Sequence, residues 1–190
     1  LSTLADEPIV RETLKEADEA LGFALSKLIA EGPAEELSLT VNTQPALVCA
    51  SIAMYRFYLQ EGGRKPDLLA GHSLGEYSAL VAAGALDFTE EKLKTVDLQK
   101  PFLPVLHNVD VQIHEEPDAI RDVLAAQVAS PVLWADTVRK MEEAGVMEIY
   151  EVGPGAALSG MVKRITKGIT AKALNSRAAL EEAAAANQEK

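Results

Sequence analysis

Apolar positions recur at helical spacing from the start of the chain. Ile9, Val10, Leu14 and Ala17 follow Asp6-Glu7-Pro8, a helix start with proline in the first turn, and Gly22 closes the segment. A second long helix is predicted from about Gln44 to Gln60, stopped by Gly62-Gly63. The pattern then changes. Pro66 to Ala70 is a short apolar run of strand length, and Glu76 to Ala85 reads as helix again. The second half alternates in the same way: a strand over Leu103 to Val111, a helix over Pro117 to Val128, and another helix opened by Ser130-Pro131 and reaching about Ala144. A strand over Val146 to Val152 ends at Gly153-Pro154-Gly155. A helix to Lys167, a strand over Ile169 to Leu174 and an alanine-rich helix from Ser176 complete the chain. Strands alternating with helices predict an α/β fold, a mostly parallel sheet flanked by helices. The alanine-rich stretch Ala178 to Ala186 reads as a solvent-facing terminal helix with a frayed end.

One junction departs from this rhythm. Asp87 to Lys100 carries Thr89-Glu90-Glu91-Lys92-Leu93-Lys94, a charged segment with room for no more than three helical turns between two buried strands. The expected organisation is a single α/β core over residues 1–190, interrupted near 88–100.

Bulk properties narrow the field. A chain of 190 residues with 48% hydrophobic and 25% charged content has the balance of a soluble globular protein. The apolar stretch Ala79 to Leu86 falls well short of a membrane span, and Leu1 to Glu7 have neither the basic nor the apolar region of a signal peptide. The single cysteine, Cys49, has no internal partner for a disulfide. A cytoplasmic protein with no membrane partner is expected. A formal charge of −11 argues against nucleic acid, whose phosphates call for a basic surface. The scattered histidines and one cysteine make no metal-ligand cluster.

Candidate chemistry centres on Gly71-His72-Ser73-Leu74-Gly75, which matches the G-x-S-x-G nucleophile elbow in its confirming context of strand, sharp turn and helix. The strained turn explains small residues two positions either side of the serine, and it lifts the hydroxyl clear of the sheet. It also aims the first amides of the next helix, starting with the Leu74 N–H, at an oxyanion forming on an attacked carbonyl. A glycine-bounded turn with an incidental serine is the plainer alternative.

The run Leu69-Ala70-Gly71-His72-Ser73-Leu74-Gly75-Glu76-Tyr77-Ser78-Ala79-Leu80-Val81-Ala82-Ala83-Gly84 resembles the nucleophile segment of malonyl-CoA:acyl-carrier-protein transacylases, a segment shared with acyltransferase domains of polyketide and fatty-acid synthases. Four more stretches agree in order: Asn42 to Leu47, Pro104 to Asp110, Ser130 to Trp134 and Tyr150 to Gly155. The resemblance implies an α/β-hydrolase-like core and a ping-pong reaction. Serine takes an acyl group from a CoA thioester and passes it to the phosphopantetheine thiol of acyl carrier protein. It implies Ser73 as nucleophile, Leu74 as an oxyanion amide, Gln44 and His72 as pocket-lining residues, and Gln127 as the position whose backbone carbonyl orients a catalytic histidine. Lys163 and Arg164 match a basic pair that meets the acidic carrier protein or the CoA phosphates; a solvated helix end is the alternative. Malonyl-CoA is substrate and no cofactor is implied. A monomer is expected.

The same resemblance implies parts not found among these residues: a glycine- and glutamine-rich loop after a first strand, supplying the second oxyanion amide, and a substrate-binding arginine. A small ferredoxin-like subdomain and a histidine base are also missing, and all but the loop belong between Phe88 and Leu103. Either the sequence is part of a longer chain or these segments are deleted; the 190-residue polypeptide is then expected to be inactive or nearly so. His107, at a strand end, is a candidate substitute base, with a hydrogen-bonded structural histidine as the plainer alternative, and His114 reads as surface. Two other functions fit the elbow: a serine hydrolase or thioesterase using Asp110 and His114, and an inactive core that binds carrier protein. An excised polyketide-synthase domain is a third possibility, with the compact sequence favouring a free-standing protein.

Overall fold

A computed structural model describes residues 1–88 and 97–188. Helix α1 (Pro8–Leu21) starts at the expected proline and ends where Gly22 adopts φ 72° and donates its N–H to Asp18 O. The short helices α2 (Leu25–Glu31) and α3 (Ala34–Leu37) escaped the sequence reading, because segments of this length scarcely display a helical period. Helix α4 (Thr40–Gln60) begins at Thr40, so Pro45 lies inside it and not at its start. As the sixth residue of the helix it forfeits the bond that an N–H would make to Val41 O, and the helix continues past it.

The chain then forms β1 (Leu69–Ala70), α5 (Gly75–Ala82), β2 (Val105–Leu106), α6 (Pro117–Gln127) and α7 (Trp134–Glu143). It closes with β3 (Glu148–Val152), α8 (Ala157–Ile165), β4 (Thr170–Leu174) and α9 (Arg177–Gln188). The fold is α/β and the strand pairs are parallel as expected, Leu69 opposite Val105 and Glu148 opposite Thr170. Among the described residues they form two separate two-stranded ladders, and no continuous sheet. One apolar cluster nonetheless spans both pairs, joining Ala70 and Leu106 to Ile149, Ile169 and Ala171 through Trp134 and Val138.

Several predicted elements are shorter than expected: β1 keeps only Leu69–Ala70 of Pro66 to Ala70, and α5 ends at Ala82, short of Ala85; for two more the reason is a backbone contact. The strand predicted over Leu103 to Val111 stops at Leu106, because the chain turns back: Val111 N–H donates to His107 O, His107 N–H to Gln112 O, and Val111 takes φ 56°. The helix expected from Ser130 begins at Trp134, because Leu133 N–H is held by Asn108 O at 2.9 Å and the residues before it run along that loop. Side-chain periodicity does not encode such backbone contacts.

The alanine-rich α9 is a correction to the sequence reading. It is docked, not merely solvent-facing: Leu180, Ala183 and Ala184 are buried against Met54 and Phe57 of α4. The charged segment Thr89 to Lys94, and with it residues 89–96 of the junction expected to hold the ferredoxin-like subdomain, lie outside the described residues. Helix α8 is fixed at its start by Glu151 of β3, whose carboxylate accepts the N–H groups of Leu158 and Ser159 at 3.1 and 2.7 Å.

Candidate active site

Strand β1 delivers the chain into the turn Gly71–Leu74 and directly on into α5. Ser73 takes φ 53°, in the left-handed region that non-glycine residues rarely occupy, and its side chain is exposed. Backbone bonds from Gly75 N–H to His72 O and from Glu76 N–H to Ser73 O close the turn, each at 3.0 Å. The strained geometry expected of a nucleophile elbow is therefore present. Among the described residues the Leu74 N–H is given no hydrogen-bond partner. It stands at the start of α5, where a helix favours negative charge.

The flanking glycines are not equivalent, contrary to the symmetric sequence argument. A Cβ on Gly71 would run into the backbone of Gly75 and Glu76, whereas one on Gly75 would meet nothing within 4 Å. Gly71 is demanded by a close approach of two backbones; Gly75 is not.

Beneath the turn lies a buried polar network that sequence reasoning missed. Glu76, 1% exposed, accepts from His107 Nδ1 at 2.6 Å, Asn108 N–H at 2.9 Å, Gln127 Nε2 at 2.7 Å and Asn108 Nδ2. Asn108 in turn donates from Nδ2 to Gly71 O at 2.7 Å and accepts the Ser73 N–H on Oδ1 at 3.0 Å. Burial alone would push the Glu76 carboxyl up, but the hydrogen bonds from His107, Gln127 and Asn108 outweigh it and hold its pKa below the usual glutamate value. A depressed folded pKa stabilises the protein above the ordinary carboxylate range, and that contribution is lost as pH falls through the folded value. The one visible signal was a glutamate at the start of an otherwise apolar helical run.

His107 is fully buried, with Nδ1 on Glu76 and, among the described residues, no partner for Nε2. It is not brought to the Ser73 hydroxyl, so its place in the structure is beneath the elbow. His114 is half-buried rather than a plain surface residue; its Nε2 pairs with Asp110 Oδ2 at 2.7 Å, and its ring lies 5.3 Å from that of His107. The Asp110–His114 pair thus exists, but among the described residues no imidazole is hydrogen-bonded to Ser73.

The remaining candidates are dispersed. His72 is half-buried and packs edge-on against Trp134, ring centroids 5.7 Å apart. Gln44 is exposed in the early turns of α4, and that helix packs on α5. Gln127 ends α6; its carbonyl accepts the Ser130 N–H at 3.4 Å, while its side chain reaches Glu76. Lys163 and Arg164 are exposed in the last turn of α8, and among the described residues neither forms an ion pair. Their position at a helix C-terminus suits positive charge. Cys49 is buried in α4, and desolvation pushes its thiol up to about 12, so it is no competing nucleophile. Among the described residues no group of three or more histidine, cysteine or acidic side chains is placed to hold a metal, and no helix is long and apolar enough to cross a membrane.

Comparison with known proteins finds matches over nearly the whole chain. The acyl transferase domain family matches residues 1–181. The malonyl CoA-acyl carrier protein transacylase of Escherichia coli K12 is 32% identical, over 94% of this chain and 92% of the relative. That of Bacillus subtilis 168 is 28% identical over 92% and 88%. The alignment with the E. coli protein runs to 283 positions against 190 residues here, so a long stretch of the relative has no counterpart. Among solved structures, the acyl-carrier-protein S-malonyltransferase of Burkholderia pseudomallei 1710b superposes with a TM-score of 0.93 at 30% identity, covering 97% of this chain and 94% of the other. A type II PKS acyl-carrier protein in complex with its malonyl-transacylase matches with a TM-score of 0.92 at 29% identity, over 98% and 96%.

Proposed function

Because the chain belongs to the acyl transferase domain family, we propose that Ser73 carries a malonyl group from coenzyme A to the phosphopantetheine thiol of an acyl carrier protein, a step of fatty-acid biosynthesis. The observation that carries this reading is an exposed serine at φ 53° between a strand and a helix, in a chain matched to malonyl-transferring relatives over nearly its whole length.

The chemistry balances on that one side chain. The Ser73 hydroxyl oxygen attacks the thioester carbonyl carbon; the carbonyl oxygen takes negative charge opposite the Leu74 N–H. Collapse breaks the C–S bond, and the CoA sulfur leaves as the thiol with the proton that the hydroxyl gives up. In the second half, the carrier-protein thiol attacks the acyl ester, the C–O bond breaks and Ser73 regains its proton. Malonyl-CoA is substrate, and the cycle draws on no bound cofactor. Gln44 and His72 line the acyl pocket in this reading, and Gln127 offers the carbonyl that orients a histidine base, a group that none of the described residues supplies. Residues 1–190 act as one α/β core interrupted near 88–100, working in the cytoplasm as a monomer.

The test is intact-mass analysis after incubation with malonyl-CoA. A single malonyl adduct, mapped to the peptide bearing Ser73, supports the reading; an unmodified Ser73 sinks it. No described side chain is hydrogen-bonded to the Ser73 hydroxyl as a base. Acylation by this polypeptide is therefore expected to lag an intact enzyme by about 10²–10⁴-fold, the usual contribution of general base catalysis.

Lys163 and Arg164 supply the carrier-protein contact. Exposed and free of ion pairs among the described residues, they form a basic spot on a chain of charge −11 and suit an acidic partner. The Lys163→Glu, Arg164→Glu double variant is expected to weaken carrier-protein binding about tenfold at low salt, with the gap closing as salt rises. Acylation by malonyl-CoA in the absence of carrier protein tells a carrier contact from a CoA contact: it stays unchanged in the first case and falls in the second.

A further inference from the structure

A carboxylate with 1% exposure is expensive to bury, and its position is best understood from what it organises. Glu76 has room for about four hydrogen-bond donors on its two oxygens. It receives four, unevenly: His107 Nδ1 on Oε1, and Asn108 N–H, Asn108 Nδ2 and Gln127 Nε2 on Oε2. The most telling of these partners is Asn108. Both hydrogens of its amide are committed, one to Glu76 and one to Gly71 O, while its oxygen receives the Ser73 N–H. Rotating the amide by half a turn would set its oxygen against a carbonyl and a carboxylate, so the network admits one orientation only. The two backbone atoms that Asn108 grips, Gly71 O and Ser73 N, lie on either side of His72, in the first half of the turn on which the serine is displayed.

We propose that Glu76 is a positioning residue for acyl transfer: by fixing the Asn108 side chain it holds the backbone that leads into Ser73, from Gly71 O to the Ser73 N–H, and with it the direction of the serine hydroxyl. This rests on the reading of Ser73 as nucleophile. One consequence is that the Ser73 N–H is consumed within the network and is no oxyanion donor, which leaves that task in the elbow to the Leu74 N–H. A second is that Gln127, at the end of α6, and Ser73, on the turn before α5, are held to the same carboxylate. The ends of two helices distant in sequence therefore keep a common register.

The experiment uses the 190-residue chain and four variants: Glu76→Gln, Glu76→Asp, Asn108→Ala and the double Glu76→Gln, Asn108→Ala. Gln127→Ala, which removes one donor but keeps the carboxylate, is the milder variant should Glu76→Gln fail to fold. Three quantities are measured. One is the rate of Ser73 labelling by a fluorophosphonate, read by mass spectrometry; the others are the malonyl adduct and amide hydrogen exchange over residues 71–77. Glu76→Gln is expected to slow labelling by about ten- to a hundredfold and to raise exchange at the elbow, since small misplacements of a reacting group have effects of this size. Glu76→Asp recovers part of the rate, and Gln127→Ala slows it by a few-fold. The double variant labels no more slowly than Asn108→Ala alone, because Glu76 acts through Asn108.

Folded Glu76→Gln and Gln127→Ala proteins that label at the parent rate would overturn the proposal. So would losses that simply add in the double variant, which mark Glu76 as a contributor to stability alone. A parent that labels with fluorophosphonate but takes no malonyl group refutes the transferase reading and leaves the positioning role to be judged on labelling rates. A parent that does not label at all refutes both.

Discussion

Replacing Ser73 with glycine yields a protein that is more stable than the parent and takes no acyl group. The two effects have one origin. At φ 53° a residue bearing a Cβ sits in the left-handed region at a cost of about 1 kcal/mol, which glycine does not incur. The serine side chain is exposed, so removing it leaves no cavity to offset that gain. Glycine's greater freedom in the unfolded chain takes back part of it, and a net rise in unfolding free energy of roughly 0.5 kcal/mol is expected. Thermal or denaturant unfolding of parent and variant measures the sign. Acylation behaves differently, because the hydroxyl is the only group here proposed to form the ester, and neither glycine nor alanine offers an atom to carry it. The malonyl adduct therefore disappears from the intact mass. Ser73→Ala separates the effects: it loses the adduct equally but keeps the left-handed strain, so its stability stays near the parent value. A persistent adduct in either variant would place the acyl group elsewhere, and Cys49, buried with its thiol pushed up to about 12, is a poor candidate.

Much of this architecture was legible in the sequence where side chains report on burial. Helices α1, α4, α6 and α8 and strands β3 and β4 all carry their periodicity or their punctuation openly, and the elbow is written in five consecutive residues. What stayed hidden is held by contacts between segments remote in sequence. Strand β2 ends at Leu106 because the chain beyond it folds back on itself, and α7 starts late because Leu133 is tied to Asn108. No local pattern announces either. The same limit applies to the site. Ser73 stands out by its neighbours, whereas Glu76 and Asn108 matter only because a strand end and a helix start meet 32 residues apart in sequence. His107 shows the same limit: a histidine at a strand end fits either a base or a hydrogen-bonded structural residue, and only the burial of its ring and the bond to Glu76 put it in the support beneath the turn.

Gly71 and Gly75 give the second large effect, and they separate a motif from the physics behind it. A pattern match treats them alike. In the structure, a methyl group on Gly71 would occupy the space of the Gly75 carbonyl and the Glu76 nitrogen, both backbone atoms that yield only if the elbow itself opens. Gly71→Ala is accordingly expected to cost about 3 kcal/mol or more, the range of severe overpacking, and to release the hydrogen bond from Asn108 to Gly71 O. Labelling of Ser73 should fall with it, by a hundredfold or so if the hydroxyl is displaced on the scale of 1 Å. Gly75→Ala is the control. Its Cβ would meet nothing within 4 Å, it stands at the first position of α5, and alanine is the better helix former by up to about 1 kcal/mol. That variant should be as stable as the parent or slightly more so, with the turn intact. Denaturant midpoints for the two variants decide the matter. Equal losses would mean that the elbow closes more tightly around Gly75 than its open surroundings allow, whereas a loss confined to Gly71 ties the tight turn to a single close approach of backbone on backbone.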